Sequence, residues 1–521
     1  MWKVANDSRR RSASWKLNMS ALTTLVTDSA SVTFILALVT LFFLFLLFKS
    51  SKNDGQYKFP PGPRPLPIIG NLNILDTDRP QDTMSKLAEQ YGDVFTFHMG
   101  YKKYVVITGY EAVKEALVTQ ADTFGERGIT AAVGDFTKGA GIIFGTGESW
   151  KTMRRFALST LRDFGMGRST IEDRIVEEAQ KLLDVFQEHH GEPFNPMISI
   201  NSAVSNIVCQ LVFGHRFEYD DKQFLLLQSR VNETIRLTAS RSMQIYNMFP
   251  WLGRLLGDVN KVRRNAETNR TYFRMVCQQR RAELDSNDLR SFMDSFLARQ
   301  KEEDSKNQNK YFHEDNMVSS VANLFAAGTE TTSTTLRWGL LLMMKYPCIQ
   351  DKVQAEIEQV IGRDRPPRQE DRRNMPYTDA VVHEIQRFGN VVPSNLLHQT
   401  KVDTTFRNYH IPKGTPVIPL LTSVLYDKTQ WETPMQFNPG HFLDAEGHFI
   451  KRDAFMPFSA GRRVCVGETL AKMELFLFFA ALLQRFRFQP AQGVRTEDLD
   501  LTSSPGLTSA PLPYKLCAVN Y

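Results

Sequence analysis

The chain has 521 residues, 42% of them hydrophobic and 36 of them Phe, enough for an extensive core, which excludes a polar disordered chain. Its net charge of +6 is modest for this length, and no basic arm carries interleaved aromatics, so nucleic acid is excluded as a partner. The five cysteines (Cys209, Cys277, Cys348, Cys465 and Cys517) are widely spaced with no C-x-x-C, which excludes a zinc ribbon and fits a reducing compartment.

Residues 1–28 form a basic leader, with Arg9, Arg10, Arg11 and Lys16. Residues 29–48 carry no charge and end in Leu-Phe-Phe-Leu-Phe-Leu-Leu-Phe. As a helix at about 1.5 Å per residue they span roughly 30 Å, the thickness of a bilayer core, so they are expected to form a transmembrane anchor. A cleavable signal peptide is the alternative, but the apolar run is long and no small-residue cleavage site follows. Basic residues tie across the span: Lys49, Lys52, Lys58 and Arg64 follow it. A start at Met19 removes the leader and puts the body in the cytoplasm, on an endoplasmic reticulum membrane; a mitochondrial presequence is the lesser alternative. Residues 49–67 read as a linker and a stiff hinge, Pro60-Pro61-Gly62-Pro63-Arg64-Pro65-Leu66-Pro67.

Residues 68–521 read as one large domain, mainly α with small β-sheets. Alternation at Val94–His98 and Lys103–Thr108 predicts a hairpin. Helical periodicity follows at 148–160, 171–187, 200–213, 317–346 and 466–488, with short strands at Val402–Phe406 and Thr415–Leu420. The apolar cluster Met248-Phe249-Pro250-Trp251-Leu252 either packs in the core or dips into lipid.

Four constellations carry chemistry. Trp150 and Arg154 lie four apart on one helix face; this is either an ordinary amphipathic surface helix or an N–H and a guanidinium fork set for a carboxylate. Phe325-Ala326-Ala327-Gly328-Thr329-Glu330-Thr331-Thr332 sits inside a long helical pattern despite a glycine costing about 1 kcal/mol and a β-branched run. Small residues there leave room for a diatomic ligand, and a threonine hydroxyl bonded back one turn would open the helix locally. His383-Glu384-Ile385-Gln386-Arg387 lacks the second His of a zinc protease; Glu384 and Arg387 instead form an i, i+3 ion pair.

The fourth is Phe458-Ser459-Ala460-Gly461-Arg462-Arg463-Val464-Cys465-Val466-Gly467. It places one cysteine in a glycine-rich turn, after basic residues and before a long apolar helix. A thiolate ligand needs its pKa lowered, and Arg462, Arg463 and free N–H groups at a helix start serve that. A cysteine that merely packs needs neither two arginines nor two glycines beside it.

This segment resembles the haem loop F-x-x-G-x-R-x-C-x-G of the cytochrome P-450 superfamily. The resemblance runs from Pro60 nearly to the C-terminus and is strongest to animal microsomal family-2 enzymes, through Ala327–Leu336, Met375–Phe388 and Phe437–Glu474. It implies the cytochrome P-450 fold, with haem b between a long distal helix and the helix after the cysteine loop. Cys465 would be the axial ligand of the haem iron, and Trp150, Arg154, His398 and Arg463 would hold the propionates. Phe325–Thr332 is similar to the family's (A/G)-G-x-(D/E)-T motif, which makes Thr331 the hydroxyl at the dioxygen site and Glu330 the acid of the proton route. Glu384 and Arg387 match E-x-x-R, a structural pair whose usual third member, an arginine, is replaced here by His441.

The pocket by resemblance uses the Thr130–Phe144 loop, with Phe144, Phe325, Ala326, Val392 and Leu507. These are largely apolar, so small lipophilic substrates such as fatty acids, xenobiotics or steroids are implied. One oxygen atom of O2 would enter a C–H bond and the other leave as water, with a thiolate favouring O–O cleavage. No flavin or nicotinamide fingerprint is present. Electrons would therefore come from a separate NADPH-dependent flavoprotein reductase, with cytochrome b5 as a second donor. Lys151, Arg155, Arg462 and Lys472 would form the docking face. A haem-thiolate isomerase or gas sensor is the alternative function; retention of Glu330-Thr331 argues for the monooxygenase.

Overall fold

A computed structural model describes residues 29–50, 58–165, 169–308 and 310–521, and side chains at 29–31, 43–50, 169 and 254 fall outside the description. The leader 1–28 and linker residues 51–57 lie outside the described residues.

The expected helices form, displaced by one to three residues. They are α1 (Ser29–Ser50), α2 (Gly147–Asp163), α3 (Ser169–Gln187), α4 (Met197–Phe213), α5 (Glu314–Lys345), α6 (Pro376–Gly389) and α7 (Glu468–Arg485). Further helices connect them, the longest of these Gly257–Ala282 with 26 residues. α7 stops at Arg485, short of the expected Phe488, because Phe486–Pro490 pairs as a strand with Leu516–Asn520. That pairing involves residues thirty positions away, which helical periodicity cannot register.

In chain order the strands are β1 (Val94–Met99), β2 (Lys102–Ile107), β3 (Glu126–Arg127), β4 (His398–Gln399), β5 (Thr404–Phe406), β6 (Tyr409–Ile411), β7 (Pro416–Pro419), β8 (Phe486–Pro490), β9 (Ser503–Ser504), β10 (Ala510–Pro511) and β11 (Leu516–Asn520). The largest sheet has the order β1-β2-β7-β4-β3. β1 and β2 form the expected hairpin, with Val94 opposite Ile107. The remaining sheets are two-stranded.

The core is layered around α5. Leu336–Met344 of α5, the apolar face of α7 and parts of α3, α4 and α6 form one buried cluster. A second, rich in Phe, holds Phe213, Phe273, Phe292, Phe296 and Phe325. A helix buried on nearly every side needs apolar residues all round, which is why α5 and α7 show so little amphipathicity in sequence.

The Pro60–Pro67 run is docked, not free. Thr96 donates its N–H to Pro61 O at 2.7 Å and its hydroxyl to Pro60 O at 2.7 Å. Gly62 is required there, since a Cβ would sit 2.1 Å from Thr96 O. The catalytic body therefore begins about eight residues before residue 68. α1 is 22 residues long. Its described side chains are exposed and apolar, from Val32 to Phe42. Among the described residues no helix is long and apolar enough to cross a membrane.

Candidate functional site: a cysteine turn, a nest of unpaired donors and a buried acid

The cysteine turn is built by backbone constraint. Gly461 has φ +72°, and a Cβ on it would lie 1.7 Å from Leu117 O, so no other residue fits. Cys465 N–H closes the turn onto Phe458 O at 3.0 Å. Helix α7 then starts at Glu468, and the N–H groups of Gly467 and Glu468 point at the cysteine sulfur. Gly467 itself has an ordinary φ of −92°.

Burial pushes the Cys465 thiol up, the Gly467 N–H opposes it, Glu468 adds to the rise, and Arg154 and the Glu468 N–H oppose it. The residue is nevertheless exposed. The nearby cation is Arg154, not the expected Arg462 or Arg463. Arg462 turns outward to Asp122. Arg463 donates to Gly125 O at 2.8 Å and Gly145 O at 3.0 Å.

Beside this turn lies a nest of buried cations. Arg463 stacks over Trp150 at 3.5 Å, and Arg154 donates to Val464 O at 2.6 Å. Arg127 is the register partner of His398 across β3 and β4. It donates to Ile143 O and Leu396 O at 3.2 and 3.3 Å. The charges strain one another. Burial, then Arg463 and Arg154, push Arg127 down to about 9. Burial pushes Arg463 down to about 10, with Glu126 opposing. Burial and then Arg127 push His398 down to about 3. The carboxylate facing them, Glu126, stays 3.7 Å from Arg463.

Four buried atoms in this nest have no hydrogen-bond partner: Trp150 Nε1, Arg463 Nη2, His398 Nε2 and Glu126 Oε2, the last at 3.7 Å from Arg463 Nη2. His398 Nδ1 bonds Phe124 O at 2.7 Å, and a carbonyl only accepts, so the proton is on Nδ1 and Nε2 is bare. Unpartnered buried polar atoms are rare and each calls for a reason. For the two donors, Trp150 Nε1 and Arg463 Nη2, an anion carrying two carboxylates supplies one, and the haem propionates fit that demand; the bare His398 Nε2 accepts and meets a carboxylate only when the ring takes up a second proton. Sequence reasoning missed Arg127. Its one local signal is Gly128 after it, where a Cβ would meet Leu397 at 2.6 Å and His398 O at 2.7 Å.

On α5 the Thr331 hydroxyl bonds back to Ala327 O at 2.8 Å, as expected. The expected local opening does not follow: α5 is continuous through it. A single back-bond bends a helix without breaking its ladder. Gly328 is explained by packing, not by room for a ligand. A Cβ there would lie 2.7 Å from Val208 of α4, and Ser205 donates to Thr329 at 3.0 Å on the same face. Ala326, Ala327 and Thr331 remain half-buried along the other face.

Glu330 is buried within α5, and its Oε1 accepts from Thr334 at 3.2 Å and from Thr508 at 3.2 Å. Burial pushes its carboxyl up, with Arg337, 3.8 Å away, opposing.

The pocket residues separate. Phe325 is fully buried in the core against Phe273, at 6.2 Å between rings, and lines no open space. Phe144, Ala326 and Val392 are half-buried and Leu507 is exposed. Asn323 accepts from Ile142 and Ile143 N–H at 3.1 Å each, which straps the Phe144 loop to α5. Ser509 N–H to Val391 O at 2.9 Å joins the Leu507 and Val392 loops.

The pair Glu384–Arg387 is bidentate, at 2.7 Å on both oxygens, and fully buried. Arg387 spends its other donors on Leu425, Pro434 and Gln436 carbonyls. The third contact also forms. His441 Nε2 accepts from Thr433 N–H at 3.2 Å, so the proton is on Nδ1, 3.2 Å from both Glu384 oxygens. A neutral imidazole thus replaces an arginine without losing the contact.

The cytochrome P450 family profile matches residues 60–518. Cytochrome P450 2K1 of Oncorhynchus mykiss is 52% identical over 503 residues, covering 96% of this chain and 100% of that protein. Cytochrome P450 2B19 of Mus musculus is 46% identical over 489 residues, covering 93% and 98%. Cytochrome P450 2C8 of Homo sapiens is 45% identical over 488 residues, covering 93% and 99%. A haem cofactor, a small-molecule substrate and a redox partner go with that family. The chain belongs to the cytochrome P450 family, of the family-2 type, and is a haem-thiolate monooxygenase.

Proposed function

We propose that the chain is a membrane-anchored monooxygenase of small lipophilic compounds, fatty acids, xenobiotics or steroids among them, with haem b bound through Cys465. The observation that carries this is the coincidence of two features next to one another in the chain and the fold. Cys465 precedes a helix start whose Gly467 and Glu468 N–H groups favour its thiolate, and its neighbour Arg463 stacks on Trp150 with a donor on each left unpartnered. When bound, the haem supplies the activation of dioxygen. Trp150, Arg154 and Arg463, with Arg127, would hold its propionates, and His398 would join them by taking up a second proton at Nε2 as the anion binds.

The remaining chemistry belongs to side chains. Thr331, its hydroxyl fixed to Ala327 O, holds a proton-bearing oxygen at the half-buried face of α5. Glu330 stands next to it as the acid that renews that proton. Ala326, Val392, Leu507 and Phe144 orient an apolar substrate and keep water out; Phe325 shapes this wall from behind. Glu384, Arg387 and His441 stiffen the scaffold beneath the cysteine turn.

Electrons are taken from an NADPH-dependent flavoprotein reductase, and from cytochrome b5. Three of the four expected docking cations already carry acids: Lys151 with Glu148, Lys472 with Glu468, and Arg462 with Asp122. Exposed pairs of this kind contribute about 0–1 kcal/mol and exchange readily. A cavity of about 820 Å³ beside Lys472 is lined by Arg372, Arg373, Lys451 and Arg452 and also by Glu370, Asp379 and Asp453, so its charge is mixed.

Membrane contact is carried by α1 and by a surface patch. The 248–252 cluster divides: Met248 is buried, whereas Trp251 is 76% exposed, and Leu255 beyond it is 80% exposed. Leu66, Ile68 and Ile69 are exposed nearby, for Met248 reaches Gly100, whose N–H bonds Ile69 O at 3.2 Å. A patch of this size facing an endoplasmic reticulum membrane admits substrate from lipid. Replacing Trp251 and Leu255 by Ser in an anchor-deleted protein lowers residual vesicle binding; unchanged binding removes the patch from the account.

The reaction is tested by NADPH-driven turnover of laurate or an alkoxycoumarin with added reductase. Hydroxylated or dealkylated product is expected, and a haem-loaded protein that forms no product across a lipophilic panel contradicts the proposal.

A further inference from the structure

Glu330 meets its polar neighbours through one carboxylate oxygen, Oε1. Thr334 and Arg337, which reach that oxygen or its neighbour, come from one and two turns along the same helix, and Arg337 also donates to Thr334 at 2.7 Å. Thr508 is different. It comes from the turn between β9 and β10, 178 positions away, and places its hydroxyl 3.2 Å from the same Oε1. We infer that Thr508 is a positioning residue for Glu330 and ties the proton route to the wall of the substrate pocket. This rests on the reading of Glu330 as the acid of that route.

The turn is gripped on both sides of Thr508. Before it stands the pocket residue Leu507, and Gly506 fits only as glycine because a Cβ would meet Thr508 O at 2.9 Å. After it, Ser509 O accepts from Trp338 Nε1 at 2.8 Å, and Ser509 N–H bonds Val391 O, next to Val392. A compound pressing on Leu507 or Val392 therefore displaces the hydroxyl that Glu330 relies on. A hydrogen bond to a buried carboxylate is worth more than a neutral one, so small displacements change the balance between its two protonation states.

The other groups around Glu330 do not supply this coupling. Arg337 moves with α5, and Tyr514 meets it only through Arg337 O, at 2.7 Å. Glu474 on α7 is pushed up to about 8 by burial, but it bonds Thr332, on a different face of α5.

The experiment is a carboxyl infrared titration of the purified full chain, with the Glu330 band assigned by its loss in Glu330→Gln. In Thr508→Val the midpoint moves to higher pH, because the carboxylate loses a donor, and Thr508→Ser restores it. With laurate and added reductase, Thr508→Val also releases about tenfold more peroxide per product, and Thr508→Ser does not. Adding laurate shifts the wild-type midpoint and leaves that of Thr508→Val unmoved. If Thr508→Val titrates as wild type while Glu330→Gln uncouples turnover, the inference about Thr508 is wrong and the acid role stands. If Glu330→Gln stays fully coupled, the proton-route reading itself falls, whatever Thr508 does to the band.

Discussion

Two buried charge clusters are built on opposite principles. Around Glu384, Arg387 and His441 every strong donor and acceptor is answered from within the protein, down to the carbonyls of Leu425, Pro434 and Gln436. Around Arg127, Arg154, Arg463 and His398 the cations outnumber their acids, and Trp150, Arg463 and His398 each keep an unpartnered atom. Closed polar networks stabilise a fold; open ones are held in readiness for something that is not protein. The same residue type, a buried arginine, has its donors answered in Arg387 and keeps an unpartnered donor in Arg463, and the proposed propionate site rests on that difference.

The largest effect that would break this contrast lies in the closed cluster. Glu384→Gln or Arg387→Met leaves a buried charge without its partner and costs about 3–5 kcal/mol, so thermal unfolding followed by circular dichroism shows a large loss of stability or no folded protein. A wild-type melt for Arg387→Met would show that closure contributes nothing.

In the open nest the sign reverses. Arg463→Met or Arg127→Met removes a cation repelled by its neighbours, so the haem-free protein is as stable as wild type or more so. Haem affinity, by titration of the same haem-free protein with hemin, falls about ten- to a hundredfold for each. Loss of fold in place of loss of affinity would make the nest structural after all.

His398 sharpens the comparison through pH. Its imidazole sits at about 3 in the folded protein against an ordinary 6.5, so between those values the unfolded chain binds the extra proton. Its contribution is present above pH 6.5 and is lost as pH falls towards 3. His398→Gln should flatten the acid side of the haem-free stability curve in that window. An unchanged slope would mean that the ring is not held neutral. The smallest effect concerns Arg154, the cation acting on Cys465. In Arg154→Met the thiolate fraction falls, and alkylation of Cys465 in haem-free protein slows about two- to fivefold.

What sequence could show follows the same divide. Cys465, Gly461 and the start of α7 are contiguous, and Trp150 with Arg154 or Glu384 with Arg387 are one helical turn apart, so local spacing exposes them. Arg127 enters the nest only because β3 pairs with β4, nearly three hundred residues on. Thr508 meets Glu330 only after the C-terminal turn docks on α5. No window of sequence contains either event. The reason for Gly328 was misread for the same cause: Val208, which excludes a side chain there, is far away in the chain. Phe325 is apolar and adjacent to pocket residues, yet the helix rotation that buries it is fixed by Phe273 and its neighbours.

The most direct test is the absorption spectrum of the purified, reduced protein under carbon monoxide. The account predicts the red-shifted Soret band of an axial thiolate, lost in Cys465→His while haem is retained. A wild-type band at the position of a histidine-ligated haem, or purified protein that takes up no haem, would contradict it.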